Sequence, residues 1–154
     1  MFIKGGNRVL YIKWEGDYLP IGCLTSDSFS ENIEMLSTTT RDNAGWATSV
    51  PTNQSYNISF DGLVISTEST EGDPTKIGYD RLRELKRNRT LLEWKLEDIG
   101  GLYVDTGKGY LTDLSDSANI DEFISFNASI LGYGKPTSTS VIPLDLQQPL
   151  QYEL

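Results

Sequence analysis

Strict alternation of apolar and polar residues is the feature of this sequence that most constrains its fold. It is clearest in 55–65, where Tyr56, Ile58 and Phe60 are separated by single polar residues. Successive side chains of a β-strand point to opposite faces, so this pattern predicts a strand with one face in a core and the other in polar surroundings. The same period predicts further strands at 8–14, 18–25, 28–36, 92–97, 102–104, 109–114 and 123–131.

Turn residues separate neighbouring strands. A Gly-Asp pair at 16–17 lies between the first two strands, and an Asp-Thr-Gly triplet at 105–107 predicts a tight hairpin between two short ones. A chain of 154 residues with strands on both sides of one helical segment favours a single, mainly β domain. The predicted architecture is a β-sandwich or barrel with one flanking α-helix.

The helical segment is predicted to span 73–89. An Asp-Pro pair at its start suits the N-cap and the first helical position. Apolar residues then recur every three positions among charged ones, so the helix is expected to pack one stripe on the sheets and to turn its basic face outward. The stripe consists of Tyr79, Leu82 and Leu85.

Charge is distributed unevenly along the chain. The net charge is −9, yet 76–89 holds six basic residues against two acidic ones, a net of +4. The other 140 residues hold seven basic and twenty acidic ones, a net of −13. An acidic body disfavours binding of the nucleic-acid backbone and suits a surface past which DNA slides.

Residues that carry catalytic or metal chemistry are scarce. The chain has no histidine and one cysteine, Cys23, which excludes an intrachain disulfide and a thiolate metal cluster. Cys23 lies in an apolar run and is expected to be a small buried residue. We therefore predict no catalytic residue, no metal site and no cofactor, and an enzyme is the weakest functional hypothesis. No apolar run approaches the roughly 20 residues of a membrane span, and no signal peptide is recognisable.

Two segments match neither period. The polar stretch 37–54 is predicted to be a long loop, and loops of this length in compact domains are usually functional or disordered. It contains Trp46, which would gain from burial either against its own domain or, as we favour, against another chain. The last segment, 135–154, is predicted to be extended, as an edge strand or on a neighbouring subunit.

The order of these motifs resembles that of the phage major tail tube proteins, which are similar in fold to the tube-ring proteins of type VI secretion and contractile injection systems. The resemblance covers roughly 8–135 and excludes the last twenty residues. The segments that carry it are 9–13 with 20–26, 28–30, 39–46, 56–62, 79–82, 93–95, 107–111 and 124–134.

This resemblance implies hexameric rings whose inner strands close a barrel around a channel, stacked into a tube through which DNA is ejected. The long loop would act as an arm that reaches between rings. Its contact residues are expected to be Thr39, Thr40, Arg41, Asp42, Asn43 and Trp46. The implied partners are copies of this chain, a tape measure protein inside the tube and initiator and terminator proteins at its ends. DNA would pass without specific binding, and the protein would be made in the host bacterial cytoplasm and reside in the virion tail, away from membranes.

In such a ring, the polar sides of the alternating strands would face the channel. The candidates for the lumen are Asn57, Ser59, Asp61, Ser125, Asn127 and Ser129. They are small and neutral or acidic, so the wall is expected to leave DNA mobile, whereas a basic wall would hold its phosphates. The basic helix would then lie on the outside of the ring.

Other classes of function remain open. A carbohydrate-binding β-sandwich would use Trp14, Trp46, Trp94 and some of the eight tyrosines as stacking platforms. Trp14 and Trp94, however, lie on apolar faces of predicted strands. A tail terminator or a head–tail connector would be an alternative role within a virion.

Overall fold

The computed structural model describes residues 2, 4–65, 72, 74–98 and 103–140. Within them, one α-helix, α1 (Tyr79–Arg87), lies in the chain between the fourth and fifth of seven strands. The strands are β1 (Arg8–Trp14), β2 (Asp17–Pro20), β3 (Leu24–Ser37), β4 (Ser49–Leu63), β5 (Leu92–Asp98), β6 (Tyr103–Ser117) and β7 (Ser125–Ser140).

The seven strands form one antiparallel sheet in the order β2-β1-β5-β6-β7-β4-β3. The sheet is rolled, since Arg8 on β1 forms an ion pair with Asp27 on the far strand β3. Phe29 of β3 also lies 5.9 Å from Trp94 of β5, measured between ring centroids. Rolling encloses one apolar face, and the predicted mainly β sandwich or barrel with a flanking helix is confirmed.

An aromatic cluster forms the centre of the core. Trp94, Phe60 and Phe126 are almost completely buried. Trp94 Nε1 donates a hydrogen bond to Tyr56 Oη over 3.2 Å, and Tyr56 Oη donates to the carbonyl of Lys108 over 2.7 Å. The polar atoms of both rings are therefore satisfied inside the core, as burial requires.

The predicted hairpin at 105–107 is wrong. Strand β6 runs continuously through these residues and pairs with β5 and β7, with a shift of register against β7 between Thr106 and Lys108. A Cβ on Gly107 would lie 2.8 Å from Trp94 Cζ2. The glycine therefore marks a β-bulge where a large core side chain approaches the backbone, and not a turn.

The first hairpin lies where the sequence placed it, but the second predicted strand is interrupted. Glu15 and Gly16, with φ of 50° and 91°, form the tight turn between β1 and β2. Strand β2 ends at Pro20, and β3 begins at Leu24. Cys23 lies in the intervening turn with φ of 56° and is exposed, so the expectation that it is buried is wrong.

The loop predicted at 37–54 is shorter in the structure. Strands β3 and β4 include both flanks of the predicted stretch 37–54, leaving only 38–48 outside the strands, with a 3-10 turn at Arg41–Asn43. Both faces of these flanks are exposed. A strand without a buried face does not show apolar–polar alternation, and for this reason the pattern missed it.

The helix is also shorter than predicted. It begins at Tyr79 with Gly78 as N-cap, whereas the predicted cap, Asp73, lies outside the described residues. Ile77 is instead fully buried and forms a parallel bridge with Ile21. Because this bridge holds the segment extended, the helix cannot start before it.

The predicted extended segment 135–154 is described only in part. Its first residues continue β7, where Thr137 pairs with Thr106 and Ser140 with Tyr103 of β6. The remaining part of the prediction, 141–154, lies outside the described residues, as does Leu102 of a predicted strand. Among the described helices, none is long and apolar enough to cross a membrane.

Candidate assembly surfaces

Strands β3, β4, β7 and β6 present a polar face on the side of the sheet that faces away from the core. It extends to Asn57, where exposed Leu131 and Tyr110 lie beside it on β7 and β6. In the middle of this face, Ser59 lies opposite Ser129, and Asp61 lies opposite Asn127. Strand alternation places Asn57 and Ser125 on the same side. The structure therefore brings all six predicted lumen residues together on adjacent strands.

The polar face is wider than the sequence predicted. On β3, Ser28 pairs with Ser59, and on β6, Ser115 pairs with Asn127. The residues added to the face by these two strands are Ser26, Ser28, Ser30, Asp113, Ser115 and Ser117. Serine at alternate positions of β3 was the signal available in the sequence. None of the added residues is basic.

Side chains of the polar face bond to one another across the strands. Ser26 Oγ donates to the carboxylate of Asp61 over 2.9 Å, and Ser30 Oγ donates to the side-chain carbonyl of Asn57. These hydroxyl protons are occupied within the sheet. The named residues of the face consequently offer small groups that are neutral or acidic.

Both edges of this four-stranded part are unpaired within the described chain. Strand β3 is the last strand of the sheet. Strand β6 pairs with β5 only from Val104 to Gly109, so 110–117 has no strand beside it on that side. Long unpaired edges invite pairing with another chain.

In the structure the arm is the outer half of the β3–β4 hairpin, residues 30–55, and its large apolar side chains are exposed. Trp46 at the tip is 77% exposed, so its ring does not pack on its own domain. The tip is nevertheless ordered by backbone hydrogen bonds from Thr38 to the carbonyl of Thr48 and from Trp46 to that of Asn43, both over 2.9 Å. The other exposed apolar residues of the arm are Ile33, Met35, Leu36 and Val50.

The six predicted arm residues all lie at this tip, in two roles. Thr39 Oγ1 accepts from the amide of Thr48 over 3.0 Å, and Asn43 Nδ2 donates to Thr48 Oγ1 over 3.2 Å. These contacts shape the turn. Thr40, Arg41 and Asp42 are exposed and, together with Trp46, are free to contact another chain.

Helix α1 lies on the core side of the sheet, away from the polar face. Leu82 and Leu85 are buried, and Tyr79 packs against the same core. Burial and neighbouring Asp116 raise the pKa of the Tyr79 hydroxyl. The exposed basic residues of the helix and the turn after it are Arg83, Lys86, Arg87 and Arg89.

Arg81 departs from the predicted outward basic face. Its side chain is buried, with the guanidinium 5.1 Å from the ring centroid of Trp14. Its Nη1 donates to the carbonyls of Pro74 and Lys76, each over 3.0 Å. Arg81 therefore fixes the approach to the helix and contributes little to a surface charge.

Other kinds of site have little support in the part of the chain that the structure describes. Trp94 is buried and Trp14 is half-buried, so of the three tryptophans proposed as stacking platforms only Trp46 is exposed. The described residues include no group of three or more His, Cys, Asp or Glu side chains that could hold a metal ion.

A family model described as phage tail tube protein matches residues 2–138. The chain belongs to the phage tail tube protein family. The predicted resemblance is thereby confirmed, and the chain is a structural protein of the virion tail tube, which is built of stacked rings. No curated protein matches it.

Solved structures share the fold of this tail tube protein at low sequence identity. A chain from the tail of an empty gene transfer agent particle, refined with C6 symmetry, gives a TM-score of 0.71 at 17% identity, over 89% of this chain and 98% of that one. The SPP1 tail tube gives 0.70 at 11% identity, over 91% and 80%. The sheath–tube complex of PVC, an extracellular contractile injection system, gives 0.58 at 14% identity, over 90% and 92%.

Proposed function

We propose that this tail tube protein forms hexameric rings whose polar faces line the channel through which phage DNA is ejected. The observation that carries the proposal is the polar face of β3, β4, β7 and β6, because none of the twelve face residues named above is basic. The C6 symmetry of the related gene transfer agent tail supports six subunits per ring.

Ring closure follows from the unpaired edges. The free edge of β3 in one subunit would pair with the free part of β6, 110–117, in its neighbour. Such pairing converts two exposed edges into a closed barrel and removes their tendency to aggregate. The polar face of each subunit then becomes one segment of a continuous inner wall.

The inner wall would let DNA pass because its named residues are neutral or acidic and offer phosphates no cation to bind. Hydroxyl groups such as that of Ser26 already donate within the sheet, and Asp61 and Asp113 add negative charge. A wall of lysine or arginine would instead release counterions from DNA and hold it in place.

The arm would connect one ring to the next, and the helix would lie on the outside of the tube. The arm, with Trp46 exposed at its tip, would contact the adjacent ring, where burial of its apolar side chains stabilises stacking. Helix α1 would lie on the outer surface, since it packs on the side of the sheet opposite the polar face. Its exposed Arg83 and Arg87 would face solvent or an acidic patch of a neighbour.

The proposed partners follow from this arrangement. They are copies of this chain, a tape measure protein within the lumen, initiator and terminator proteins at the two ends, and DNA in transit. The protein would be synthesised in the host bacterial cytoplasm and act in the virion tail, with a purely structural role and no cofactor.

The first test is assembly followed by DNA binding. Purified protein at high concentration, seeded with tail fragments where needed, is expected to form hollow tubes in negative-stain micrographs and to retain no duplex DNA in filter binding at low salt. A strictly monomeric species in analytical ultracentrifugation across salt and concentration, or retention of DNA at moderate salt, would contradict the proposal.

A matched pair of substitutions separates the wall from the outside. Asn127→Lys and Glu84→Gln each raise the net charge of the subunit by one, the first by adding a cation on the polar face and the second by removing an anion from the exposed side of the helix. Tubes of the first variant are expected to retain DNA in a salt-dependent way, and tubes of the second are not. Equal retention by both variants would remove Asn127 from the lumen.

A further inference from the structure

The loop that joins β6 to β7, residues 118–124, lies at the end of the sheet opposite the arm tip. Strand β4 runs from the arm to Leu63, which pairs with Ser125 at the start of β7. Just beyond, the amide of Val64 donates to the carbonyl of Ile124 over 2.8 Å. The arm tip and this loop therefore mark the two ends of the same strands.

This loop is unusually apolar for an exposed segment. Ile120 is 101% exposed and Phe123 is 84% exposed, and Ile124 beside them is also exposed. Clustered exposed apolar side chains on a structural protein indicate a surface that becomes covered on assembly. The arm tip presents the matching feature, an exposed Trp46.

The basic side chain of Arg41 at the arm tip is complementary to the acidic loop, although Asp42 beside it leaves the tip turn without net charge. Arg41, at the arm tip, is the only basic residue between Lys13 and Lys76, and it forms no ion pair with any described residue. From Gly109 to Gly134 the chain holds four acidic residues and no basic one, and two of these acids, Asp121 and Glu122, lie in the exposed loop.

We propose that the 118–124 loop of one copy receives the arm tip of a copy in the adjacent ring. Trp46 then packs against Phe123 and Ile120, and Arg41 lies beside Asp121 and Glu122. This inference rests on the proposed stacking of rings and adds to it the receiving surface. The arm tip at one end of the subunit and the 118–124 loop at the other end are thus the two sides of the same contact between rings.

Such a contact repeats without limit, as a tube requires. Because the tip and the loop lie at opposite ends of β3 and β4, translation along the strands brings the tip of one copy to the loop of the next. Strand β3 alone has 14 residues, which extend over about 45 Å at roughly 3.3 Å per residue. A contact between two different patches is heterologous and generates an open stack, not a closed dimer.

Charge exchange tests the pairing. Arg41→Glu alone, and Asp121→Lys with Glu122→Lys, should each raise the protein concentration needed for tube formation by about tenfold or more, because each leaves like charges opposed in the contact. The chain that carries all three substitutions should form tubes close to the wild-type concentration. An equimolar mixture of the two defective variants should also assemble into stacks in which the variants alternate, since each arm then meets a loop of opposite charge. Tubes are counted in negative-stain micrographs.

Two controls keep the outcomes distinct. Arg41→Lys preserves the charge and is expected to assemble like the wild type, and circular dichroism of each variant reports whether the domain is folded. If the loop variant assembles normally while Arg41→Glu does not, the arm docks elsewhere and the pairing is wrong. If the wild type forms tubes but neither the triple variant nor the mixture does, the pairing is also wrong. If the wild type itself forms no tube under any condition, the stacking of rings fails first, and this inference fails with it.

Discussion

The two halves of the β3–β4 hairpin differ in what surrounds them. In the inner half, β4 alternates between buried Tyr56, Ile58 and Phe60 and polar residues on the other face. In the outer half, 49–55, every residue is exposed. At one end the two strands are thus part of the folded core. At the other end they have no buried face in a single subunit, and we expect another subunit to cover them. Sequence patterns report the first kind of environment and not the second.

The difference separates folding from assembly. Residues of the inner half are held by the core and should determine the free energy of unfolding. Residues of the arm bury little in the monomer, so their apolar side chains should contribute mainly to the free energy of association. Substitutions that move one quantity and leave the other unchanged test this division.

The largest effect on folding is expected from a charge placed in the core. Leu82 is fully buried, so Leu82→Asp leaves an unpaired carboxylate among apolar groups and should cost several kcal/mol, enough to unfold a marginal domain. The matched arm variant is Leu36→Asp, at a residue that is 59% exposed. It should change the urea midpoint little and prevent tube formation. Equal loss of stability in both variants would show that the arm is part of the folding unit.

A smaller effect is expected from a single methyl group. Gly132 lies against the ring of Tyr56, and a Cβ there would overlap the ring atoms. Gly132→Ala should therefore cost about 1–3 kcal/mol, the usual cost of overpacking a core. Gly5→Ala is the control, because a Cβ at that position meets no atom within 4 Å. Urea unfolding followed by tryptophan fluorescence measures both, and an unchanged midpoint for Gly132→Ala would contradict the described packing.

The sequence predicted the elements whose environment lies within one chain. The alternation of β1 and β5 and the apolar stripe of Leu82 and Leu85 each reflect burial against the same core, which is a local consequence of strand and helix geometry. The hairpin prediction at 105–107 is wrong because a glycine looks the same in the sequence whether it forms a turn or lies against Trp94. Only the tertiary contact distinguishes the two cases.

The sequence predicted only part of the assembly surfaces. The polar face was found because its residues alternate with core residues on β4 and β7. The part on β3 and β6 was missed, since long-range register decides which serines join the face. The exposed apolar loop at 118–124 was missed as well, because residues such as Phe123 were assigned to a strand pattern. Exposure is a property of the fold that periodicity alone does not give.

The smallest effect on folding, and the sharpest separation of the two halves, is expected at the arm tip. Trp46 is largely exposed and makes its ordered contact through the backbone amide, which bonds to Asn43. Trp46→Ala removes the ring and keeps that hydrogen bond, so the free energy of unfolding should change by no more than about 0.5 kcal/mol. Association should suffer far more, because aromatic residues that become buried at a contact often dominate its energy.

The measurement pairs urea unfolding of the monomer with tube counts over a range of protein concentration. Trp46→Phe serves as the control, since it keeps an aromatic ring of smaller area and should restore part of the assembly. Deletion of residues 38–48 extends the test. A deletion variant that still forms tubes of normal length would show that the arm has no part in stacking. A variant that fails to fold would show that the tip supports the domain itself, and the division between the two halves of the hairpin would be lost.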